Sequence, residues 1–174
     1  RSLAACEGAI LVVDSTQGVE AQTLANTYLA LENELEVFPV LNKTDLPSSE
    51  PERVLEEIES VIGLVDIAHA VNVSAKTGEN CEQVLEHIVQ YIPPPQGDPS
   101  APLQALIFDS VFNSYRGIIV YFKVTNGTIR KGDKIKFVST DQDYIADEVG
   151  ILKLKMTERN EVSAGDVGYV ITGI

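Results

Sequence analysis

The sequence contains few of the residues on which small secreted domains and metal-binding modules depend. It has two cysteines, Cys6 and Cys81, and no tryptophan among 174 residues. Two cysteines cannot build a disulfide framework, so we expect buried or semi-buried reduced thiols. No cysteine and histidine have the spacing of zinc ligands, so no metal site is predicted. The isolated His69 and His87 are interpreted as satisfied or exposed side chains.

Long apolar runs and, in the first part of the chain, basic residues are also scarce. No uncharged apolar run approaches the length that spans a membrane. Residues 1–100 carry 17 acidic and four basic side chains, whereas residues 101–174 carry nine of each. This step in charge indicates a domain boundary. An acidic first part also argues against a broad nucleic-acid-binding surface, and no DNA partner is predicted.

The first part of the chain alternates between continuous apolar runs and helical patterns. Buried strands are predicted at 9–13, 37–41 and 70–73, the second one irregular because of Pro39. Three helices are predicted from apolar residues at spacings of three and four. The second is predicted to start at a capping box over 49–52, and the third at Asn80. Their predicted apolar faces are Ala21, Leu24, Ala25, Tyr28 and Leu31, then Val54, Ile58, Val61 and Ile62, then Val84, Leu85, Ile88 and Val89. The pattern is typical of a doubly wound α/β domain, but three strands are too few for a complete one.

The second part of the chain changes to a period of two. Apolar residues alternate over 118–124, Asn126-Gly127 is a hairpin signal, and Gly132-Asp133 predicts another turn. We therefore expect an all-β, small antiparallel barrel. The predicted organisation is an α/β domain part at 1–95, a stiff proline-rich linker at 96–102, and a barrel at 103–174 that ends before its last strand. The basic segment 130–136 is interpreted equally well as a contact for RNA phosphates or as a solvated strand edge.

The motif Asn42-Lys43-Thr44-Asp45 follows the second predicted strand, where open α/β sheets bind ligands. The two oxygens of Asp45 match the adjacent N1–H and amino donors of guanine, which adenine cannot offer in the same arrangement. Asn42 is expected to bond the base and brace the neighbouring loop. The stem of Lys43 is expected to cover one face of the base, and Thr44 occupies the same turn.

The motif Ser74-Ala75-Lys76 follows the third predicted strand. We expect the Ala75 backbone N–H to donate to guanine O6, Ser74 to support Asp45, and the Lys76 stem to cover the other face of the base. Each motif alone also fits an ordinary polar turn. Because both follow strands and both precede helices, the pair predicts a guanine-nucleotide site.

Together, the motif pair, the linker and the barrel pattern resemble the translational GTPases, and within them the LepA (elongation factor 4) family. The resemblance covers essentially the whole chain. It lies in residues 1–9, 13–23, 42–47, 74–78, 92–95, 115–117 and 126–133. Residues 18–23 and the triple proline at 93–95 are similar to this family rather than to elongation factors G or Tu. Residues 115–124 are similar to its cyanobacterial and plastid members.

The resemblance implies the C-terminal half of a P-loop GTPase domain followed by the barrel known as domain II of translation factors. It implies GTP and Mg²⁺ as cofactors, and hydrolysis of GTP to GDP and phosphate on the ribosome with a role in back-translocation and fidelity. The implied partners are ribosomal RNA, ribosomal proteins and a tRNA-bearing complex. A monomer is expected, and peripheral membrane association stays open. The implied compartment is the bacterial cytoplasm or the plastid stroma, with the mitochondrial matrix as third choice.

By the same resemblance, the phosphate loop, the Mg²⁺-binding threonine and the hydrolytic histidine precede Arg1, and residues 1–8 are similar to the helix that follows them. No catalytic residue or metal ligand is therefore expected within the chain, which alone should show no GTPase activity and only weak nucleotide binding. Two alternatives remain at this point. One is a GTP-gated ribosome-binding module without hydrolysis. The other is a GTPase-type subunit of a metabolic complex, against which residues 17–20 and the triple proline argue.

Overall fold

A computed structural model describes residues 2–63 and 65–173 of the chain. These residues divide into two compact units. One comprises Cys6–Pro94, and the other comprises residues 95–173 together with 2–5. Residues Ser2–Ala5 form a short 3₁₀ helix, so the longer helix expected over 1–8 is not present. Arg1 itself lies outside the described residues. Cys6 is exposed rather than buried, and Cys81 is partly buried.

The first unit is built on a three-stranded parallel sheet, which confirms the α/β part of the predicted fold class. Its strands are β1 (Gly8–Asp14), β2 (Glu36–Asn42) and β3 (Val71–Asn72), which lie side by side in that order. Its helices are α1 (Ala21–Glu32), α2 (Pro51–Val61) and α3 (Cys81–Tyr91), with a 3₁₀ turn at Ile67–His69. None of the helices among the described residues is long and apolar enough to cross a membrane.

Both faces of β2 are covered, which explains its continuous apolar run, whereas Val12 in the run of β1 is 58% exposed. Leu41 belongs to one core cluster with Val54 and Ile58 of α2. Phe38 belongs to a second cluster, against which residues of α3 pack. Successive side chains of β2 therefore point to opposite layers, as strand geometry requires.

The irregularity expected at Pro39 is absent. β2 pairs with β1 in an unbroken register that includes Leu11 opposite Pro39. On its other side, β2 pairs with β3 only at Val40 and Leu41. Pro39 therefore has a ladder neighbour on one side only, and this limits the cost of its missing N–H.

The predicted buried face of α1 is partly wrong. Leu24 and Leu31 pack against the core, but Ala21, Ala25 and Tyr28 are exposed. The fully buried positions are Thr27 and Ala30. The Thr27 hydroxyl donates to the Thr23 carbonyl oxygen at 2.7 Å within the same helix, so a polar residue can occupy the buried side without an unsatisfied group.

The other two helices show smaller deviations. In α2, Val54, Ile58 and Ile62 are buried but Val61 is exposed. In α3, Val84 and Ile88 pack on the sheet, whereas Leu85 and Val89 are 63% and 83% exposed. The spacing of apolar residues was compatible with a wider buried stripe than the narrow sheet covers.

The expected side-chain caps are also absent. The residue that precedes α2 is Glu50, which makes no side-chain capping bond. The Ser49 hydroxyl lies 2.8 Å from that of Ser15 instead of capping the helix. Asn80 precedes α3 in a left-handed conformation and donates its amide to the Asn72 carbonyl oxygen at 2.9 Å.

The second unit is all-β and antiparallel, as predicted. The strands are β4 (Gln104–Asn113), β5 (Gly117–Asn126), β6 (Thr128–Arg130), β7 (Lys134–Phe137), β8 (Gln142–Ile145), β9 (Glu148–Leu152), β10 (Met156–Arg159), β11 (Glu161–Ser163) and β12 (Val167–Thr172). The main sheet has the order β10-β9-β12-β5-β4, and two further pairs are β6 with β11 and β7 with β8. The core is apolar and includes Phe122, Val149, Val162 and Val170.

The hairpin predicted at Asn126-Gly127 does not form. β5 pairs with β4 and β12, whereas β6 pairs with β11. Gly127 has φ of +77°. A Cβ there would lie 2.7 Å from backbone atoms of Ala101 and Leu103. The glycine therefore permits a close approach of two backbone segments, a role that the dipeptide signal does not distinguish from a two-residue hairpin.

Candidate functional site

The predicted site residues lie in loops at the carboxyl ends of the parallel strands. Asn42 ends β2, and the next loop carries Lys43, Thr44 and Asp45. Ser74, Ala75 and Lys76 follow β3, which is the neighbour of β2 in the sheet. Because the strands are parallel and adjacent, both loops leave the same edge of the sheet. The structure therefore brings the two motifs together.

The side chain of Asn42 joins the two loops. Its Oδ1 accepts hydrogen bonds from the backbone N–H of Lys43 at 2.8 Å and from that of Ala75 at 3.0 Å. The brace expected for Asn42 is thus present. The Ala75 N–H, which was expected to be available for guanine O6, is already engaged with Asn42 in this structure. A bond from Ala75 to a base would have to share or replace that contact.

Ser74 connects its own loop to Asp45. The Ser74 hydroxyl donates to Asp45 Oδ1 at 2.8 Å and accepts from the Thr77 N–H at 3.2 Å. Ser74 is fully buried, while Asp45 is exposed. A bond from a buried, fixed donor limits the rotation of an exposed carboxylate, so Asp45 has a defined orientation at the surface.

Thr44 does more than occupy the turn. Its hydroxyl and its backbone N–H both donate to the Val73 carbonyl oxygen, at 2.9 and 3.2 Å. These bonds form a second link between the two loops. Sequence reasoning missed it, because a threonine in a polar turn gives no indication of which carbonyl it will meet.

Lys43 reaches toward β1. Its backbone is in the left-handed region, with φ of +68°, and its ammonium lies 2.5 Å from Asp14 Oδ2. The hydrogen bond from Lys43, followed by those from the hydroxyl and N–H of Thr16, lowers the pKa of the Asp14 carboxyl to about 2. The same bond raises the pKa of Lys43. Lys76, by contrast, is exposed on its own loop.

The loop after β1 belongs to the residues that carry the family resemblance, but no role in the site was predicted for it from the sequence. Ser15 is fully buried, and its hydroxyl donates to the Asn42 carbonyl oxygen at 2.7 Å. Its backbone N–H donates to the same oxygen at 2.9 Å, and its carbonyl oxygen accepts from Glu50 N–H at 2.9 Å. The available signal was the position of Asp14-Ser15-Thr16 at the end of a buried strand next to β2.

The donor set of the site suits a guanine base. One Asp45 oxygen is braced by Ser74, and the exposed carboxylate offers acceptors for adjacent N–H groups. The amide nitrogen of Asn42 remains as a donor, since the amide oxygen already accepts two bonds. The lysine stems on either loop are long enough to contact the faces of a base.

The comparison with protein families decides which class of protein carries this site. Residues 1–94, more than half of the chain, match the family model described as the elongation factor Tu GTP binding domain. Residues 117–174 match the model described as elongation factor Tu domain 2. The chain belongs to the elongation factor Tu family of GTP-binding proteins. The matches confirm the predicted types of domain, a GTP-binding α/β domain followed by a translation-factor barrel.

Relatives within this family confirm the predicted resemblance to elongation factor 4. Proteins of that name match the whole chain with 60% identity in Flavobacterium johnsoniae, 58% in Microcystis aeruginosa and 56% in Porphyromonas gingivalis. The chain spans 29% of the length of each. The identity to the Microcystis protein is no higher than that to the Flavobacterium protein, so the plastid-type assignment stays a prediction.

Solved structures of other elongation factors share the fold. The chain matches the apo form of translation elongation factor SelB from Methanococcus maripaludis with a TM-score of 0.77, at 17% identity, over 95% of this chain and 36% of that one. It matches a bacterial selenocysteine-specific elongation factor with a TM-score of 0.72, at 18% identity, over 98% of this chain and 29% of that one.

The remaining candidate residues of this elongation-factor chain lie outside the site. The His87 Nδ1 atom is 3.2 Å from the His69 carbonyl oxygen, and the His69 ring stacks on Tyr91 with 3.8 Å between centroids. Within residues 2–63 and 65–173, no group of three or more His, Cys, Asp or Glu side chains is arranged to hold a metal ion.

The basic segment 130–136 does not form a hairpin of its own, because β6 and β7 pair with other strands. Each of its four cations lies close to a carboxylate. The pairs are Arg130 with Glu161 at 3.0 Å, Lys131 with Glu158 at 2.8 Å, Lys134 with Asp143 at 2.7 Å and Lys136 with Asp141 at 2.5 Å. A contact with phosphates would compete with these pairs, so the structure gives this segment no surplus of unpaired positive charge.

Proposed function

We propose that this chain supplies the base-reading half of a GTP site, and the barrel that follows it, in a translation factor that hydrolyses GTP on the ribosome. Its membership of the elongation factor Tu family supports the coarse activity, and the relatives named elongation factor 4 support the type of factor. Since the chain spans 29% of those relatives, the activity belongs to the longer protein.

The observation that carries the proposal is the pair of cross-links between the two loops. Asn42 bonds Ala75, and Ser74 bonds Asp45, so both motifs of the proposed site are held in one geometry. In the proposed complex, Asp45 accepts from N1–H and the amino group of guanine, and Asn42 donates to the opposite edge of the base. Adenine would place an acceptor against Asp45 and leave the carboxylate unpaired.

The triphosphate and Mg²⁺ belong to the other half of the proposed site. When bound, GTP with Mg²⁺ supplies the phosphoryl group that is cleaved, and positioning of the phosphates, metal and water sets the rate. Among the described residues we assign none to that task. We therefore propose that the chain by itself does not hydrolyse GTP and binds nucleotides weakly, because it offers base contacts without phosphate contacts.

The finer role rests on the resemblance to the LepA family. We propose that the longer protein is a monomer whose partners are ribosomal RNA, ribosomal proteins and a tRNA-bearing complex. Its proposed role is to promote back-translocation and translational fidelity. Its proposed compartment is the bacterial cytoplasm or the plastid stroma. The family membership and the relatives' names support a translation factor.

The decisive experiment is Asp45→Asn in the full-length protein. Replacing one acceptor oxygen by an amino donor should suit xanthine, which has a carbonyl where guanine has its amino group. A polar site of this kind discriminates between bases on the order of 10⁴-fold, so the unaltered protein should bind GTP much more tightly than XTP. In Asp45→Asn, the dissociation constants measured by titration calorimetry should instead show tighter binding of XTP.

A matched control is Asp66→Asn in the same unit. Asp66 is exposed and accepts the Ala68 N–H at 2.8 Å, a bond that asparagine can also accept. This variant should keep the preference for GTP. If Asp45→Asn still prefers GTP over XTP, the role of Asp45 is wrong. Failure of the unaltered full-length protein to bind GTP would overturn the proposed function itself.

A further inference from the structure

The side chain of Lys43 is restrained at both ends. At the backbone, Lys43 adopts a left-handed conformation and its N–H donates to Asn42 Oδ1 at 2.8 Å. At the other end, its ammonium lies 2.5 Å from Asp14 Oδ2. The four-carbon stem between these points therefore spans from the loop after β2 to the end of β1.

Asp14 is in turn held in place. It is the last residue of β1 and pairs in register with Asn42 of β2. Its Oδ1 accepts from the Thr16 N–H at 2.9 Å and from the Thr16 hydroxyl at 2.7 Å. One oxygen of the carboxylate therefore bonds the turn that follows β1, and the other bonds Lys43. The side chain of Asp14 is 16% exposed, against 52% for Lys43.

We propose that Asp14 is a positioning residue of the guanine site, which anchors the ammonium of Lys43 so that the lysine stem forms a preset wall for one face of the base. The proposal rests on the function proposed above. Asp14 does not contact the nucleotide in this scheme. It acts by restricting the Lys43 side chain, which would otherwise lose rotational freedom about several bonds when the base binds. Restriction before binding lowers this entropic cost of binding.

The simplest alternative is an ion pair without consequence, as are many pairs at protein surfaces. Two features argue for a role in positioning. The carboxylate is oriented by two further hydrogen bonds, and its partner belongs to the loop that carries Asp45. Since bonds from Lys43 and Thr16 keep the pKa of Asp14 at about 2, the carboxylate is charged throughout the neutral range.

The test is a double-mutant cycle in the full-length protein with Asp14→Asn and Lys43→Met. Asparagine retains an oxygen that can accept hydrogen bonds from Thr16, but its neutral amide cannot form an ion pair with Lys43. Methionine retains an apolar stem without the charge of lysine. We expect Asp14→Asn to raise the dissociation constant for GDP roughly 2- to 5-fold when Lys43 is present, the range of a partly exposed ion pair. In the Lys43→Met background, the same substitution should have no effect.

A second readout needs no nucleotide. Acetylation of individual lysines in the nucleotide-free protein can be followed by peptide mass spectrometry. Because the ion pair raises the pKa of Lys43, Asp14→Asn should accelerate acetylation of Lys43, whereas Lys76 on the neighbouring loop should react at an unchanged rate. This difference separates loss of an anchor from general loosening of the site.

Three results would overturn the inference. Asp14→Asn could leave GDP affinity unchanged, it could weaken binding equally in both backgrounds, or it could accelerate both lysines alike. The guanine-to-xanthine preference distinguishes this failure from failure of the proposed function. That preference should be the same in Asp14→Asn and the unaltered protein, and it should change only with Asp45→Asn.

Discussion

Removal of a single buried hydroxyl should weaken the guanine site without altering any residue proposed to touch the base. The substitution is Ser74→Ala. It deletes the donor to Asp45 Oδ1 at 2.8 Å and the acceptor of the Thr77 N–H at 3.2 Å. A hydrogen bond to a charged group contributes about 1.5–3 kcal/mol, and a neutral one about 0.5–1.5 kcal/mol.

The geometry favours the lower end of these ranges. Asp45 is exposed, so water can replace the lost donor, and the bond to Thr77 is long. We therefore expect a loss of about 1.5 kcal/mol in nucleotide binding, or roughly tenfold in the dissociation constant for GDP. The free energy of unfolding of the nucleotide-free protein should fall as well, by about 1 kcal/mol, because the same two hydrogen bonds also stabilise the folded loops.

The assay is titration calorimetry with GDP on the full-length protein, accompanied by thermal unfolding. Ser48→Ala provides the control, since Ser48 is an exposed serine three residues after Asp45. It should leave both quantities unchanged. Affinity of the Ser74→Ala variant within twofold of the unaltered protein would refute the reasoning, because the bond would then contribute nothing to the orientation of Asp45.

Two further predictions concern the barrel. Burial, followed by its hydrogen bond to Glu148 at 2.7 Å, raises the pKa of Tyr169 to about 12, above the ordinary value near 10. The resulting stabilisation should be complete below pH 10 and be lost as the pH rises toward 12. Measured by urea unfolding, Tyr169→Phe should lower the free energy of unfolding by about 1–2 kcal/mol at pH 8 and should abolish its decrease at alkaline pH. The control Tyr115→Phe, at an exposed position, should do neither. Thr172 is fully buried, and its hydroxyl has no partner within residues 2–63 and 65–173. Thr172→Val should thus leave the free energy of unfolding unchanged or raise it by up to about 1 kcal/mol. A decrease would reveal a partner for the hydroxyl.

The sequence was sufficient to predict the strands of the first unit but not to predict which residues of its helices are buried. A run such as Val37–Leu41 is apolar throughout because both faces of β2 are covered, so its type and place could be predicted. Leu85 and Val89 were misplaced because apolar residues at spacings of three and four define a stripe wider than the described sheet can cover. Thr27 was overlooked because its buried hydroxyl is satisfied within its own helix.

The same distinction holds in the site. Residue types at the ends of two strands were sufficient to predict that Asp45 and Ser74 would meet. The links from Thr44 to the Val73 carbonyl and from Ser15 to the Asn42 carbonyl were not predictable. They depend on loop dihedral angles, such as the left-handed conformation of Lys43, which a residue's chemical type does not determine.

The hydrogen bonds of Asn42 explain why an asparagine, and not an aspartate, suits the end of β2. Its Oδ1 accepts the N–H groups of Lys43 and Ala75, which fixes the orientation of the amide. The Nδ2 group is then the only part of the side chain that remains for a ligand, and it can only donate. Guanine presents acceptors at N7 and O6 along its major-groove edge. A carboxylate at position 42 could still brace the loops, but it would face those acceptors with a second acceptor. The bracing of the two loops and the proposed reading of the base would therefore both depend on a single amide, whose two ends carry opposite hydrogen-bonding character.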